Sequence, residues 1–187
     1  KASGNTQVRL ALEIKTRPDT PDETMAPEPF ARALVEAVRQ AGMAERTTIL
    51  SFDWRALQAV QKLAPEIGTV YLSIQQRSSD NIGAGRPGAS PWTAGLAHAE
   101  HGSVPKMIKA PGGRIWSSFH GDLDAAKVKE AQALGLSVLA WTVNDTAQIA
   151  RLMDLGVDGI VTDRPDRVRE EMQRRAMPLP AVTPVRP

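Results

Sequence analysis

The sequence predicts an α/β fold in which parallel strands alternate with helices. Short apolar segments with strand-like alternation recur along the chain, and each is followed by a polar turn and a segment with helical spacing of its apolar residues. Parallel strands need a crossover connection, which is usually a helix. The pattern therefore predicts a parallel sheet packed against helices, and both a doubly wound sheet and a (β/α) barrel satisfy it.

The composition is that of an ordinary globular protein. Hydrophobic residues make up 42% of the 187 residues and charged residues 24%, which excludes a collagen-like or mostly disordered chain. A net charge of +2 indicates no nucleic-acid partner, and no apolar run is long enough to predict a membrane span. Cysteine is absent, which excludes disulfide frameworks and thiolate zinc sites and fits either the cytoplasm or the periplasm.

The individual elements follow from alternation, capping residues and helix-stopping glycines. Asp53, Asp124 and Asp145 are predicted N-caps, and Pro165 is predicted near the start of the last helix. Strands are predicted over 8–14, 47–52, 69–74, 114–118, 136–143 and 158–162, and helices over 29–41, 54–64, 124–135, 145–156 and 165–175.

Two segments break the pattern. Residues 78–113 are rich in Gly and Pro and lack periodicity, which predicts a long functional loop. Residues 176–187 form a Pro-rich tail, so the domain is predicted to occupy 1–175. Without loop and tail, the chain holds about five strand–helix units at roughly 30 residues each, whereas a complete eight-unit barrel needs about 250 residues.

Glu13 and Lys15 are the first candidate site residues. They lie on the strand face opposite Leu12 and Ile14, at the carboxyl end of the strand. In a barrel this face points inward at the end where active sites lie, and a carboxylate there needs a cation beside it. Lys15, an arginine or a metal ion would serve, and a structural ion pair is the simplest interpretation of the spacing alone.

The three histidines are weaker candidates. His98 and His101 have a spacing that could hold a metal, but no third ligand follows at a recognisable distance, so we expect surface histidines. His120 follows a predicted strand and is the histidine expected nearest to a site. The glycine-rich residues 83–88 lack the Gly-Lys-Ser/Thr ending of a phosphate loop and open no predicted helix, which argues against nucleotide binding.

Two further strand ends carry polar and aromatic residues. Trp141 ends one strand and is either a core residue or the wall of a pocket at a barrel mouth. Asp163 and Arg164 follow the last strand, and we expect them to pair with each other or to cap the next helix.

Four segments in this order resemble the later part of the glycerophosphodiester phosphodiesterase family, over about residues 8–172. They are Glu13-Ile14-Lys15, Ser51-Phe52-Asp53, Trp141-Thr142-Val143-Asn144-Asp145, and the run from Gly156 to Pro165. The long segment with Ser90-Pro91-Trp92-Thr93 is similar to a variant of some bacterial members.

The resemblance implies a TIM-type barrel that hydrolyses glycerophosphodiesters to glycerol 3-phosphate and an alcohol. It implies a divalent cation, Mg²⁺ or Ca²⁺, with Glu13 among its ligands, because oxygen ligands suit a hard cation. It also implies that Lys15 contacts the phosphate, that Trp141 packs on the glycerol end, and that Phe52 lines the pocket.

The resemblance also has a large gap. The family pattern begins with a His-Arg-Gly strand, a Pro-Glu-Asn-Thr helix start, a Glu-x-Asp ligand pair and a second His-Asp, and none of these occurs in the 187 residues. The chain is therefore expected to carry no catalytic residue of the family and to supply roughly the last five units of the barrel. The missing N-terminal strands are the expected partner, and the chain alone is expected to be inactive.

Two alternatives remain open on the sequence. The first is a non-catalytic half-barrel that keeps an anion site at Lys15. The second is another hydrolase or an aldolase-like enzyme on the same barrel, in which Lys15 would form a Schiff base, because a fold does not determine a function.

Overall fold

The structure is a computed structural model that describes residues 8–181, and its main feature is a six-stranded, all-parallel sheet. Residues 182–187 of the predicted Pro-rich tail lie outside the described residues. The sheet has the order β1-β2-β3-β6-β7-β8, and β4 and β5 form a separate antiparallel pair. The strands are β1 (Leu10–Glu13), β2 (Thr47–Ser51), β3 (Gly68–Ser73), β4 (Gln75–Gln76), β5 (Ser79–Asp80), β6 (Ile115–Phe119), β7 (Ser137–Trp141) and β8 (Gly159–Ile160).

Seven α-helices connect or follow the strands in the described part of the chain. The three aspartates predicted as N-caps, Asp53, Asp124 and Asp145, each accept a hydrogen bond from a backbone N–H of the first helical turn, which confirms them. The helices are α1 (Pro27–Gln40), α2 (Trp54–Leu63), α3 (His98–His101), α4 (Val104–Lys109), α5 (Ala125–Ala133), α6 (Thr146–Asp154) and α7 (Pro165–Arg174). None of the helices within 8–181 is long and apolar enough to cross a membrane.

The strand order distinguishes the two sheet types that the sequence left open. A doubly wound sheet reverses its order at a switch point, whereas here the order follows the chain from β1 to β8. Side chains on one face, such as Ile49, Tyr71, Trp116 and Val138, are completely or almost completely buried under the helices. On the opposite face Val70 and Leu72 are buried, but Phe52, Phe119 and Trp141 at the carboxyl ends of the strands are only half-buried. The sheet is therefore a curled half-barrel with its helices outside.

The predicted number of units differs from the observed number. The residue arithmetic predicted about five strand–helix units, and the described residues contain six parallel strands. The difference arises at residues 78–113, which the arithmetic treated as a loop. This segment contains α3 and α4, the helices of the unit that begins with β3.

The segment 78–113 is also more ordered than predicted. It holds β5, α3 and α4, and its Ile82, Thr93, Met107 and Ile108 are buried. The prediction of a loop without regular structure was wrong here because helices of four and six residues are too short to show helical periodicity over an 11–18-residue window.

Candidate functional site

The sheet face opposite the helices carries the predicted site residues, which lie at the carboxyl ends of the strands. Glu13 pairs in register with Leu50, and Phe119 pairs with Trp141, so these residues share one face. Because side chains alternate along a strand, Lys15 and Phe52 belong to the same face two residues further on. The parity argument for Glu13 and Lys15 is consistent with this arrangement.

Glu13 and Lys15 form an ion pair. The Lys15 Nζ lies 2.7 Å from a Glu13 carboxylate oxygen, and the two side chains are 75% and 26% exposed, respectively. An ion pair this accessible to solvent contributes at most about 1 kcal/mol to stability. The pair is therefore present, as the simplest interpretation predicted, but the fold does not depend on it, and Glu13 remains accessible to a ligand.

A cavity of about 530 Å³ opens beside this pair, within the range of small-molecule sites. Glu13, Lys15 and Phe52 all line it, so the structure brings three of the four predicted site residues together. The cavity's other lining residues are Ile14, Thr16, Arg17, Asp19, Ile74, Ser78, Ser79, Asp80, Asn81 and Trp92.

Trp141 does not line this cavity but contacts a residue that does. Its ring meets Phe52 with 5.4 Å between centroids and Phe119 with 5.6 Å, and both contacts are nearly edge-on. The Trp141 Nε1–H donates to the Ser117 carbonyl at 3.1 Å, which fixes the ring orientation. The half-buried Trp141 therefore belongs to an aromatic cluster of Phe52, Trp141 and Phe119 beside the cavity.

Two charged residues after β1 were missed by the sequence analysis. The Arg17 guanidinium donates two hydrogen bonds to Asp19, at 3.3 and 3.0 Å, and both residues line the cavity. These hydrogen bonds lower the pKa of Asp19. The signal that could have found them is their position directly after a strand whose carboxyl end was already a candidate site.

A second missed group comes from the segment 78–113. Asp80, Asn81 and Trp92 form part of the cavity wall. The buried Asn81 side chain accepts from the Ile74 N–H at 2.9 Å and donates to the carbonyls of Leu72 and Phe52, at 3.1 and 3.3 Å. One side chain thus ties this wall to the ends of β2 and β3.

None of the three histidines lines the cavity. His98 and His101 begin and end α3, and across residues 8–181 no group of three His, Asp or Glu side chains is arranged to hold a metal ion. His120 follows β6 with its ring 4.5 Å from that of Phe119. The His120 Nδ1 is buried and has no hydrogen-bond partner among the described residues. Burial lowers the pKa of the imidazole, and the positive charge of Arg151 lowers it further.

The residues after β8 have structural partners other than those expected. The Asn144 side chain donates to Asp163 at 2.8 Å and accepts from the Thr162 hydroxyl at 3.0 Å. Arg164 pairs with Asp166 instead of Asp163. Asp163 and Arg164 therefore do not pair with each other. Arg164 occupies the N-cap position of α7, as the second alternative allowed, but its side chain makes no capping hydrogen bond.

Comparisons with known proteins agree with the sequence motifs. The model of the glycerophosphoryl diester phosphodiesterase family matches residues 2–167. A glycerophosphodiester phosphodiesterase of Caldanaerobacter subterraneus is 26% identical over 135 residues, which are 71% of this chain and 45% of that protein.

Solved structures share the fold. A candidate glycerophosphoryl diester phosphodiesterase of Silicibacter pomeroyi has 32% identity and a TM-score of 0.74, over 90% of this chain and 52% of that one. An Oleispira antarctica phosphodiesterase, solved with the product sn-glycerol-3-phosphate, has 21% identity and a TM-score of 0.61, over 88% of this chain and 55% of that one. The chain thus spans about half the length of the relatives it matches.

Proposed function

Because the chain belongs to the glycerophosphoryl diester phosphodiesterase family, we propose that its cavity is part of an active site that hydrolyses glycerophosphodiesters to sn-glycerol 3-phosphate and an alcohol. The observation that carries the proposal is the meeting of Glu13, Lys15 and Phe52 around one cavity at the carboxyl ends of the strands. The product bound to the Oleispira structure has the chemistry that a lysine and an aromatic wall would recognise.

The binding roles follow from the geometry. The Lys15 ammonium is the more exposed member of the ion pair, so it can turn towards a phosphate without leaving a buried charge behind. Phe52 presents an apolar wall on which the carbon side of the glycerol would pack, and Trp141 behind it would support the Phe52 ring. Together they orient the diester, with its charge at Lys15 and its glycerol at the aromatic cluster.

Glu13 would be one ligand of a divalent cation, Mg²⁺ or Ca²⁺. A carboxylate oxygen suits such hard cations, and the side chain is accessible from the cavity. Within 8–181, however, no three candidate ligands are grouped, so Glu13 would share the ion with residues outside this set. When bound, such an ion polarises a phosphoryl oxygen.

We further propose that additional strands of the complete barrel close the sheet. Within the described residues, β1 pairs only with β2 and β8 only with β7, so each leaves one edge open. The groups that move protons to and from the reacting oxygens would come from those strands, because no histidine of this chain lines the cavity. This accounts for the expectation that the chain alone is inactive.

The test is hydrolysis of glycerophosphocholine by the full-length protein, followed by the release of glycerol 3-phosphate. We expect activity that a chelator removes and Mg²⁺ or Ca²⁺ restores, and that Lys15→Met lowers at least tenfold. Lys129→Met on the exposed surface of α5 is the matched control. Binding of glycerol 3-phosphate without any hydrolysis would instead establish the non-catalytic half-barrel.

A further inference from the structure

The cavity wall formed by residues 78–92 supports an inference about the leaving alcohol. This inference rests on the proposed hydrolysis. We propose that Asp80 and Trp92 form the subsite of the leaving alcohol and select an alcohol that carries a positively charged ammonium group. Both residues line the same cavity as Glu13 and Lys15 but come from the segment between β3 and β6.

The wall is fixed in place before any ligand binds. Asn81 anchors its first part to the ends of β2 and β3. Its second part is held by the Trp92 carbonyl, which accepts from the Trp54 N–H at 2.8 Å, and by the buried Thr93, whose hydroxyl donates to the Leu96 carbonyl. A subsite that is already ordered binds its ligand without an additional entropic cost of ordering.

One of the three carboxylates that line the cavity has no cationic partner among the other lining residues. Lys15 pairs with Glu13 and Arg17 pairs with Asp19, which leaves Asp80 as the third lining carboxylate. Its Oδ1 accepts from the backbone N–H groups of Ile82 and Gly83, at 2.9 Å each.

The nearest cation to Asp80 lies outside the cavity. Arg86 approaches the second carboxylate oxygen to 3.6 Å, but its side chain is 70% exposed and does not line the cavity. Asp80 itself is only 18% exposed, so solvent screens its charge less than that of a surface carboxylate. The wall therefore presents the Asp80 carboxylate to the cavity at a fixed position, while its ion-pair partner Arg86 does not line the cavity.

Trp92 supplies the second component of the subsite. Its half-buried side chain lines the cavity, and a tryptophan ring is the strongest aromatic partner for a cation. A carboxylate and an indole that line one cavity attract an alkylammonium group and offer no comparable advantage to a neutral polyol. The chemistry of the wall therefore favours an amino alcohol as the leaving group.

The experiment compares glycerophosphocholine with glycerophosphoglycerol in the full-length protein. Asp80→Asn keeps an oxygen for the two N–H groups and removes the charge, and we expect the ratio of kcat/KM for the choline diester over the glycerol diester to fall about fivefold to tenfold. Trp92→Leu should lower this ratio about fivefold, whereas Trp92→Phe should retain most of it. Asp154→Asn, an exposed carboxylate on α6, is the matched charge control and should keep the wild-type ratio.

A binding measurement separates this proposal from the proposed hydrolysis. Calorimetric titration with phosphocholine and with glycerol 3-phosphate gives a second ratio, that of their dissociation constants. Asp80→Asn should weaken the binding of phosphocholine relative to glycerol 3-phosphate by a similar factor. If neither diester is hydrolysed but this ratio shifts, the hydrolysis is refuted and the ammonium subsite stands. If the ratio of dissociation constants is the same in wild type, Asp80→Asn and Trp92→Leu, the subsite is refuted, whether or not the diesters are hydrolysed.

Discussion

The Phe52 and Trp141 rings contact each other although their strands are not neighbours. Their centroids lie 5.4 Å apart, whereas β3 and β6 stand between β2 and β7 in the sheet. In a flat sheet, strands three positions apart are separated by about 14 Å. The contact therefore depends on the curvature of the sheet, and it links the cavity wall to the strand end at Trp141.

The first prediction concerns Trp141. Trp141→Ala should raise KM for a glycerophosphodiester and lower kcat/KM, because the aromatic cluster would lose the ring that supports Phe52. Since Trp141 is half-buried, its loss should cost less than the roughly 3–5 kcal/mol of a fully buried aromatic residue. Thermal unfolding and steady-state kinetics measure both effects. Trp54→Ala is the control, because Trp54 is completely buried and should show the full loss of stability.

The second prediction separates the roles of Glu13 and Lys15. In the full-length protein, Glu13→Gln should lower hydrolysis at least about 100-fold and weaken metal binding, because the neutral amide is a poor ligand for a hard cation. Lys15→Met should retain metal binding and weaken inhibition by glycerol 3-phosphate. Calorimetric metal titration compares the two variants.

The stability of these variants provides a further check. Both substitutions should leave the free energy of unfolding within about 1 kcal/mol of wild type, because the ion pair is exposed. Glu66→Gln, which removes the exposed ion pair with Arg39, is the matched control. Unchanged metal affinity in Glu13→Gln would remove Glu13 from the site, and strong destabilisation by both variants would establish a structural ion pair.

The third prediction concerns Tyr71, the one tyrosine of the sequence. Burial raises its pKa to about 12. The hydroxyl donates a hydrogen bond to the Gln61 side-chain oxygen at 3.1 Å, and ionisation of the phenol would remove this bond. In the unfolded chain the pKa is about 10. The protonated hydroxyl therefore contributes stability that is fully present below about pH 10 and is lost as the pH rises towards 12.

Tyrosinate absorbance follows this titration without interference from a second tyrosine. We expect a midpoint well above 10 for the folded protein and near 10 in denaturant, and Tyr71→Phe should flatten the decline of stability above pH 10. A folded-state midpoint near 10 would show that the ring is accessible to water.

The fourth prediction concerns the 187-residue chain on its own. It should associate or be poorly soluble, because β1 and β8 each leave one edge unpaired within residues 8–181 and half-buried aromatic side chains lie on one face of the sheet. Both features favour pairing with another copy. Analytical ultracentrifugation and calorimetry test this. A monomer that melts cooperatively would contradict the prediction.

Local signals in the sequence predicted much of the fold. The caps at Asp53, Asp124 and Asp145 were found because each acts on the next two or three residues, and the face of Glu13 followed from strict alternation. The contact between Phe52 and Trp141 could not be predicted in this way, because it depends on how far the sheet curls. The place of Asp80 and Trp92 at the cavity was missed for a related reason: tertiary contacts bring both residues there from a segment without periodicity.

The three hydrogen bonds of the Asn81 side chain also indicate where a segment from another family member could be joined to this chain. Residues 82–113 lie between Asn81 and the strand β6. Asn81 attaches the beginning of this segment to the ends of β2 and β3 through its side-chain hydrogen bonds. A graft from another family member that keeps Asn81 would inherit this attachment, whereas a graft that replaces it would detach the wall from β2 and β3. The position of one amide thus marks the boundary of a segment whose exchange would replace Trp92 and keep Asp80, so a graft separates the contributions of these two residues to the proposed alcohol subsite.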